Sequence, residues 1–231
     1  MKRIGLIGGM SWESSLEYYR IVNEEVARRL GGLHSADCVL VSVDFAEIEA
    51  MQTAGDWDAA AVAIGDAAQS CRDAGADFAV LCTNTMHKVL GQVEARVDLP
   101  FLHIADATGN RIVAAGLRTV GLLGTRYTME GDFYRNRLET AHGLNVLIPD
   151  EPARRLVHRV IYEELVLGRI DGTSREEFRS VIADLASRGA EGVVAGCTEI
   201  GLLVRPSDSV VPLFDTTRIH AEEAVVLALE T

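Results

Sequence analysis

The sequence predicts an α/β protein of two pseudo-symmetric lobes, each a parallel sheet flanked by helices. Three observations carry this expectation. Eight short apolar runs, at 4–7, 38–43, 78–81, 101–104, 120–123, 145–148, 192–195 and 210–214, are rich in Val, Ile and Leu. Runs of that length read as strands buried on both faces, the mark of a parallel sheet. The segments between them carry helix punctuation, and regular strand–helix alternation builds parallel sheets covered by helices. The third observation is an internal repeat.

Taken in order, the run at 4–7 leads through Gly8-Gly9 into a helix. Ser14 with Glu17 three residues on reads as a capping box, and Gly31-Gly32 reads as the stop. Ser174 with Glu177 reads as a second capping box. The repeat then sets the domain organisation. Arg3-Ile4-Gly5-Leu6-Ile7-Gly8 resembles Thr119-Val120-Gly121-Leu122-Leu123-Gly124, an offset of 116 (4 to 120). Gly75-Ala76-Asp77 before Phe78 resembles Gly189-Ala190-Glu191 before Gly192, an offset of 114 (75 to 189). Leu99-Pro100-Phe101 is echoed by Val211-Pro212-Leu213, an offset of 112 (100 to 212). Three collinear anchors point to two copies of one unit of about 110 residues. The expected lobes are 1–108, completed by 215–231, and 109–214. A ligand site is expected between them, where strand C-terminal ends meet helix starts.

Composition narrows the function. About half of the 231 residues are apolar (48%), enough for a real core. The formal charge of −12, from 34 acidic and 22 basic residues, argues against nucleic acid or an anionic membrane as partner. An acidic ligand would need a local pocket of donors. No apolar stretch is long enough for a signal peptide or membrane span, so a cytoplasmic protein is expected. Cys38, Cys71, Cys82 and Cys197 are too few and scattered for a disulfide scaffold, and no CxxC pair occurs. Nor do the histidines show HExxH or HxH spacing, so no metal is expected. Gly5-Leu6-Ile7-Gly8-Gly9 lacks the third glycine of a dinucleotide loop.

The strongest chemical signal is Ala195-Gly196-Cys197-Thr198-Glu199-Ile200. A buried strand ends there, and the next residues suit a helix start. Free N–H groups and a helix dipole at such a junction can lower a thiol pKa from about 8.5 to roughly 3.5–7.5. The plain alternative is a small cysteine packing a turn. The companion segment is Val80-Leu81-Cys82-Thr83-Asn84-Thr85-Met86-His87. An ungapped register with offset 114 pairs Thr83 with Cys197 and Cys82 with Gly196. Strand alternation then turns Cys82 away from the face Thr83 occupies. A one-residue gap would instead pair Cys82 with Cys197; nothing in the segment calls for one. His87, His103 and His220 are expected as satisfied or solvated residues. Arg126 suits either a ligand carboxylate or a surface ion pair.

Over its whole length the chain resembles the aspartate/glutamate racemases of the wider Asp/Glu/hydantoin racemase superfamily. The resemblance is carried by Gly8-Gly9-Met10-Ser11-Trp12-Glu13-Ser14, Thr83-Asn84-Thr85-Met86-His87, Gly124-Thr125-Arg126-Tyr127-Thr128-Met129 and Gly196-Cys197-Thr198-Glu199-Ile200. It implies a two-lobed homodimer that works without pyridoxal phosphate or any other cofactor on a free amino acid, most simply aspartate or glutamate. In the family pattern a cysteine from each lobe flanks the substrate α-carbon. Here Cys197 keeps the second, and Thr83 stands at the first, as in a subset of these enzymes. By resemblance Cys197 serves the L-face and Thr83 the opposite face. Met10, Gln52, Asn84, Thr85, Thr198 and Glu199 are implied as substrate-binding residues. Two other readings remain at this point. One is related superfamily chemistry: hydantoin racemisation, maleate isomerisation or arylmalonate decarboxylation. The other is a two-lobed binding protein with vestigial catalysis.

Overall fold

The computed structural model describes residues 1–230. Its contacts divide the chain into one unit of Met1–His103 completed from His220 onward, and a second of Ile104–Ile219. The division falls after His103, where 108 was expected, because Ile104, Ala105 and Ala107 pack with Val120, Leu122 and Phe214. The first unit regains the chain at His220, where 215 was expected. Ala221, Ala224, Val225 and Ala228 pack there against Ile4, Leu6 and Val22.

In the first unit, β1 (Ile4–Gly8), α1 (Trp12–Leu30), β2 (Cys38–Ser42), α2 (Phe45–Ala54), α3 (Trp57–Asp73), β3 (Phe78–Leu81), α4 (Leu90–Glu94) and β4 (Phe101–Leu102) follow in order. The second unit holds α5 (Ile104–Ala114), β5 (Thr119–Gly124), α6 (Arg126–Glu130), α7 (Asp132–His142), β6 (Asn145–Leu147), α8 (Glu151–Glu163), α9 (Gly172–Ser187), β7 (Gly192–Gly196), α10 (Ile200–Leu203) and β8 (Leu213–Asp215). A last helix, α11 (Thr216–Leu229), ends the described chain. Both sheets are four-stranded and parallel, ordered β2-β1-β3-β4 and β6-β5-β7-β8. Every residue of β1, β3 and β7 is buried, as strands covered by helices on both faces must be. The edge strands are shorter than their apolar runs. Pro212 cannot donate to a ladder and stands before β8, while the run at 101–104 gives way to α5 at Ile104. No helix is long and apolar enough to cross a membrane among the described residues.

The strand registers carry the internal repeat. Ile4 pairs with Phe78 in one sheet and Val120 with Gly192 in the other. Ala79 pairs with Phe101, and Val193 with Leu213. The three sequence offsets are therefore the offsets of superimposable ladders. With Leu81 opposite Ile7 in one ladder and Ala195 opposite Leu123 in the other, continuing the same count makes Cys82 the counterpart of Gly196 and Thr83 the counterpart of Cys197, with no gap.

Neither capping box forms as expected. Helix α1 starts earlier, with Ser11 at its N-cap position, so Ser14 lies buried inside the first turn. Ser15 does the local work: its hydroxyl accepts from Gly9 N–H at 2.8 Å and donates to Ser11 O at 3.0 Å. In α9 the cap is Asp171, whose carboxylate accepts from Thr173 N–H at 2.7 Å. Ser174 donates its hydroxyl to Glu164 at 2.6 Å instead. An ionised Asp is the stronger acceptor for a helix's first N–H groups, so it wins the cap. The stop of α1 is as read, with Gly31 at φ +75° donating to Ala27 O.

His220 is fully buried in the first unit. Its Nδ1 lies 2.9 Å from the Tyr18 hydroxyl and its Nε2 2.9 Å from Leu102 O. A neutral ring satisfies both, with Nε2–H donating to the carbonyl and Nδ1 accepting from the phenol. Burial pushes its pKa down to about 4. A folded-state value below the unfolded one means the unfolded chain binds more protons between the two values. Stability is then unaffected above the ordinary histidine range and falls as pH drops from about 6.5 towards 4, by about 3 kcal/mol in all. Urea melts from pH 7 to 4.5 are expected to show this slope in the wild type and a flatter one in His220→Gln, whose amide can make both bonds without titrating. Parallel slopes would remove His220 as the cause.

Candidate active site

The chemistry-bearing residues sit at strand C-terminal ends, where the alternation of each strand decides which way they face. Phe78, Val80 and Cys82 pack into one cluster of the first unit, with Tyr18 and Val22 of α1. Ala79 and Leu81 pack into the other, with Met10, Ile48, Ile64 and Met86. Cys82 is thus a core residue on the α1 side, its Sγ 3.6 Å from Val80 O. Burial pushes its thiol well above the ordinary range. The next residue, Thr83, lies past the end of β3, where the chain turns and its N–H donates to Leu81 O at 2.8 Å. Cys82→Ala is therefore expected to cost about 1 kcal/mol of stability and to leave kcat within about twofold. Loss of turnover in a folded Cys82→Ala protein would reverse the assignment of Cys82 and Thr83.

Thr83, Asn84 and Thr85 are all buried. They lead into a 3-10 turn, Thr85–Val89, rather than directly into an α-helix. His87, four residues after Thr83, returns its Nδ1 to Thr83 O at 2.8 Å and fixes the backbone there. It lies in ring contact with His103, 4.6 Å between centroids. The three singled-out histidines are thus structural partners in the first unit. The i, i+4 spacing of Thr83 and His87 was the available signal for that bond. Met10 lies on the loop after β1, and Gly9 before it has φ +96°. A Cβ on Gly9 would meet Val43 O at 2.1 Å, so only glycine lets that loop close on β2. Gln52 is buried on α2, not solvated, with its Nε2 3.1 Å from Met86 Sδ. Met10 and Met86 share a core cluster, so Met10, Gln52 and the turn after β3 are brought together within the first unit.

Cys197 follows β7 in the second unit. Val193, Ala195 and Cys197 share one cluster, and Val194 packs on the other side. Gly196 is held close to its neighbours: a Cβ there would lie 2.8 Å from Leu123 O. Cys197 is 7% exposed, and its Sγ–H donates to Glu199 Oε2 at 2.9 Å. The Thr198 hydroxyl donates to the same oxygen at 2.8 Å. Glu199 is itself 2% exposed. The direct Cys197–Glu199 bond is the feature that sequence reading missed; the adjacency of the two was its only trace.

The expected depression of the Cys197 pKa is corrected by this geometry. The thiol is pushed well above its ordinary value, first by burial, then by the Glu199 charge and hydrogen bond. Backbone N–H groups of Glu199 and Thr198 oppose this but do not win. The following helix, α10, has only four residues, too few for a substantial dipole. The resting pair is a thiol donating to a carboxylate.

Arg126 sits on α6, its guanidinium 5.3 Å from the Tyr127 ring centre. Among the described residues no ion pair is formed by Arg126, so the surface ion-pair reading is not what the structure has. Among the described residues no group of His, Cys, Asp and Glu is disposed to hold a metal ion.

The sequence matches the family model for Asp/Glu/Hydantoin racemase over residues 7–224. A crystal structure from Yersinia pestis, assigned provisionally as an Asp/Glu racemase, is 55% identical over 100% of both chains, with a TM-score of 0.93. An aspartate racemase homologue from Pyrococcus horikoshii OT3 is 34% identical over 100% of both chains, with a TM-score of 0.84. The broad specificity amino-acid racemase RacX of Bacillus subtilis (strain 168) is 24% identical over 170 residues, 74% of this chain and 73% of that protein.

Proposed function

This chain belongs to the Asp/Glu/hydantoin racemase family, and we propose that it racemises aspartate and/or glutamate without pyridoxal phosphate, by two-base α-proton transfer. The observation that carries the proposal is the buried Cys197–Glu199 pair, a thiol 2.9 Å from a carboxylate able to take its proton. Counting on from the matching ladders makes Thr83 the counterpart of Cys197 in the first unit, which supports its role as the second group. Cys197, once its proton has passed to Glu199, removes the α-proton of the L-enantiomer, leaving a carbanion. The proton that completes inversion comes from the other face, from the Thr83 hydroxyl or a water it holds; the oxygen left one proton short is reprotonated from solvent and Glu199 returns its proton to solvent, which leaves Cys197 a thiol beside a carboxylate again. The reverse reaction uses the same groups with donor and acceptor exchanged. Asn84, Thr85 and Thr198 supply polar contacts to the substrate, and Met10 and Gln52 shape the pocket. Developing charge on the substrate carboxylate needs fixed donors, which the polar turn after each strand supplies.

A relative that carries the name of a broad-specificity enzyme makes a panel the right assay. Each L-amino acid is incubated with the enzyme and resolved by chiral chromatography. D-aspartate or D-glutamate is expected to accumulate ahead of the others, without added pyridoxal phosphate. The same reaction run in D₂O is expected to show loss of the α-proton signal of the L-substrate outrunning inversion, because a threonine hydroxyl is a weak donor. Each 1.4 kcal/mol on that face slows inversion about tenfold. Thr83→Cys is expected to narrow the gap. No enantiomer formed from any amino acid, or exchange and inversion equal in both proteins, would count against the two-base assignment.

A further inference from the structure

Within the second unit, α6 and α8 enclose a concavity of about 370 Å³ lined by Arg126, Glu130, Arg154, Arg155, His158, Arg159 and Glu163. Four guanidiniums face two carboxylates there, a local excess of two positive charges on a chain whose formal charge is −12. We propose that this concavity binds a small dianion, a phosphate-bearing molecule or a dicarboxylate, with Arg126 as its principal clamp.

The guanidiniums differ in how far they are committed. Arg154 donates to Glu130 at 2.9 Å and to Pro149 O at 2.9 Å, so it is held in place as one wall. Arg155 pairs with Glu151, and Arg159 lies 3.3 Å from Glu164 and 3.7 Å from Glu177. The Arg155–Glu151 and Arg159–Glu177 pairs are solvent-exposed, while Glu164 is the more buried partner of Arg159; exposed pairs are worth about 0–1 kcal/mol, so an incoming anion competes most easily for Arg155. Arg126 has no carboxylate to give up. It rests on the Tyr127 ring and presents a planar fork of donors suited to a carboxylate or phosphate. Beneath it, the backbone N–H of Arg126 donates to His158 Nδ1 at 3.3 Å. Burial first, and the Arg126 charge second, lower the His158 pKa, which keeps that ring neutral and able to accept. His158, the ring that lines the concavity, is packed between Tyr127 and Tyr162, 6.1 Å and 4.7 Å between centroids, and is held in place by them. A large polyanion would be repelled by the rest of the surface, so the ligand is small.

The site does not depend on the racemisation proposal, and its test needs no turnover. The full-length chain is titrated calorimetrically with inorganic phosphate and, in parallel, with succinate, at constant ionic strength set by chloride. Saturable binding of at least one is expected, weakened at least tenfold in Arg126→Gln and unchanged in Arg179→Gln, which loses the same charge on α9. A loss confined to phosphate identifies the phosphate class; a loss confined to succinate identifies the dicarboxylate class. Failure of both to saturate by about 10 mM overturns the proposal. Equal weakening in the two variants, the signature of general charge screening, overturns it as well.

Discussion

Replacing Cys197 by serine is expected to lower kcat by about a thousandfold or more, with the protein still folded. That loss is about 4 kcal/mol of transition-state stabilisation. A thiol can be deprotonated by a neighbouring carboxylate; an alkyl hydroxyl, far less acidic, cannot supply a comparable anion. The substitution is conservative in every other respect. The Sγ–H bond to Glu199 at 2.9 Å can be remade by an Oγ–H. Neighbours on the same side of β7, Val193 and Ala195, keep their packing. Stability should therefore change by about 1 kcal/mol or less, which circular dichroism and a thermal melt would register. Rate and fold are thus separable in this variant. Turnover near that of the wild type would falsify Cys197 as the base, whatever the fate of the other residues.

The fold was legible because its signals are local and repeated. Eight apolar runs became eight strands, and the offsets at Ile4, Phe78 and Phe101 reappear as ladder partners. Strand parity could be read to the side chain: Cys82 falls with Phe78 and Val80, and Cys197 with Val193 and Ala195. Caps were less legible because several polar residues compete for the same N–H groups. Asp171 displaces Ser174, and Ser11 precedes Ser14 at the start of α1. The electrostatics of Cys197 were the least legible. A strand-to-helix junction argues for an acidic thiol only if the helix is long and the surroundings polar. Here α10 is a single turn, and the site is buried beside a carboxylate. Both facts depend on tertiary packing that no local pattern encodes.

Those same facts give the second large effect, at Glu199. Its carboxylate has two opposed influences on Cys197. Its charge raises the thiol pKa, the second cause after burial. Its Oε2, 2.9 Å from Sγ, is also the acceptor for the proton that must leave. Glu199→Gln removes both. If the charge were the dominant influence, the glutamine variant would hold more thiolate and turn over faster. Burial, however, is the larger cause of the raised pKa and survives the substitution. The thiol of the variant therefore stays protonated at neutral pH and has lost its internal acceptor. Loss of a positioned base costs about 10²–10⁴ in rate, so kcat is expected to fall at least about a hundredfold at pH 7.5. The pH profile separates this from a packing defect. With no carboxylate to take the proton, solvent must generate the thiolate, whose fraction rises about tenfold per pH unit below its pKa. The log of kcat/KM for Glu199→Gln should thus climb with a slope near one through the alkaline range, while the wild type stays flatter. A merely misfolded site would be low at every pH. A glutamine variant as fast as the wild type, with a flat profile, would show that Glu199 only opposes the thiolate and that the proton leaves Cys197 by another route.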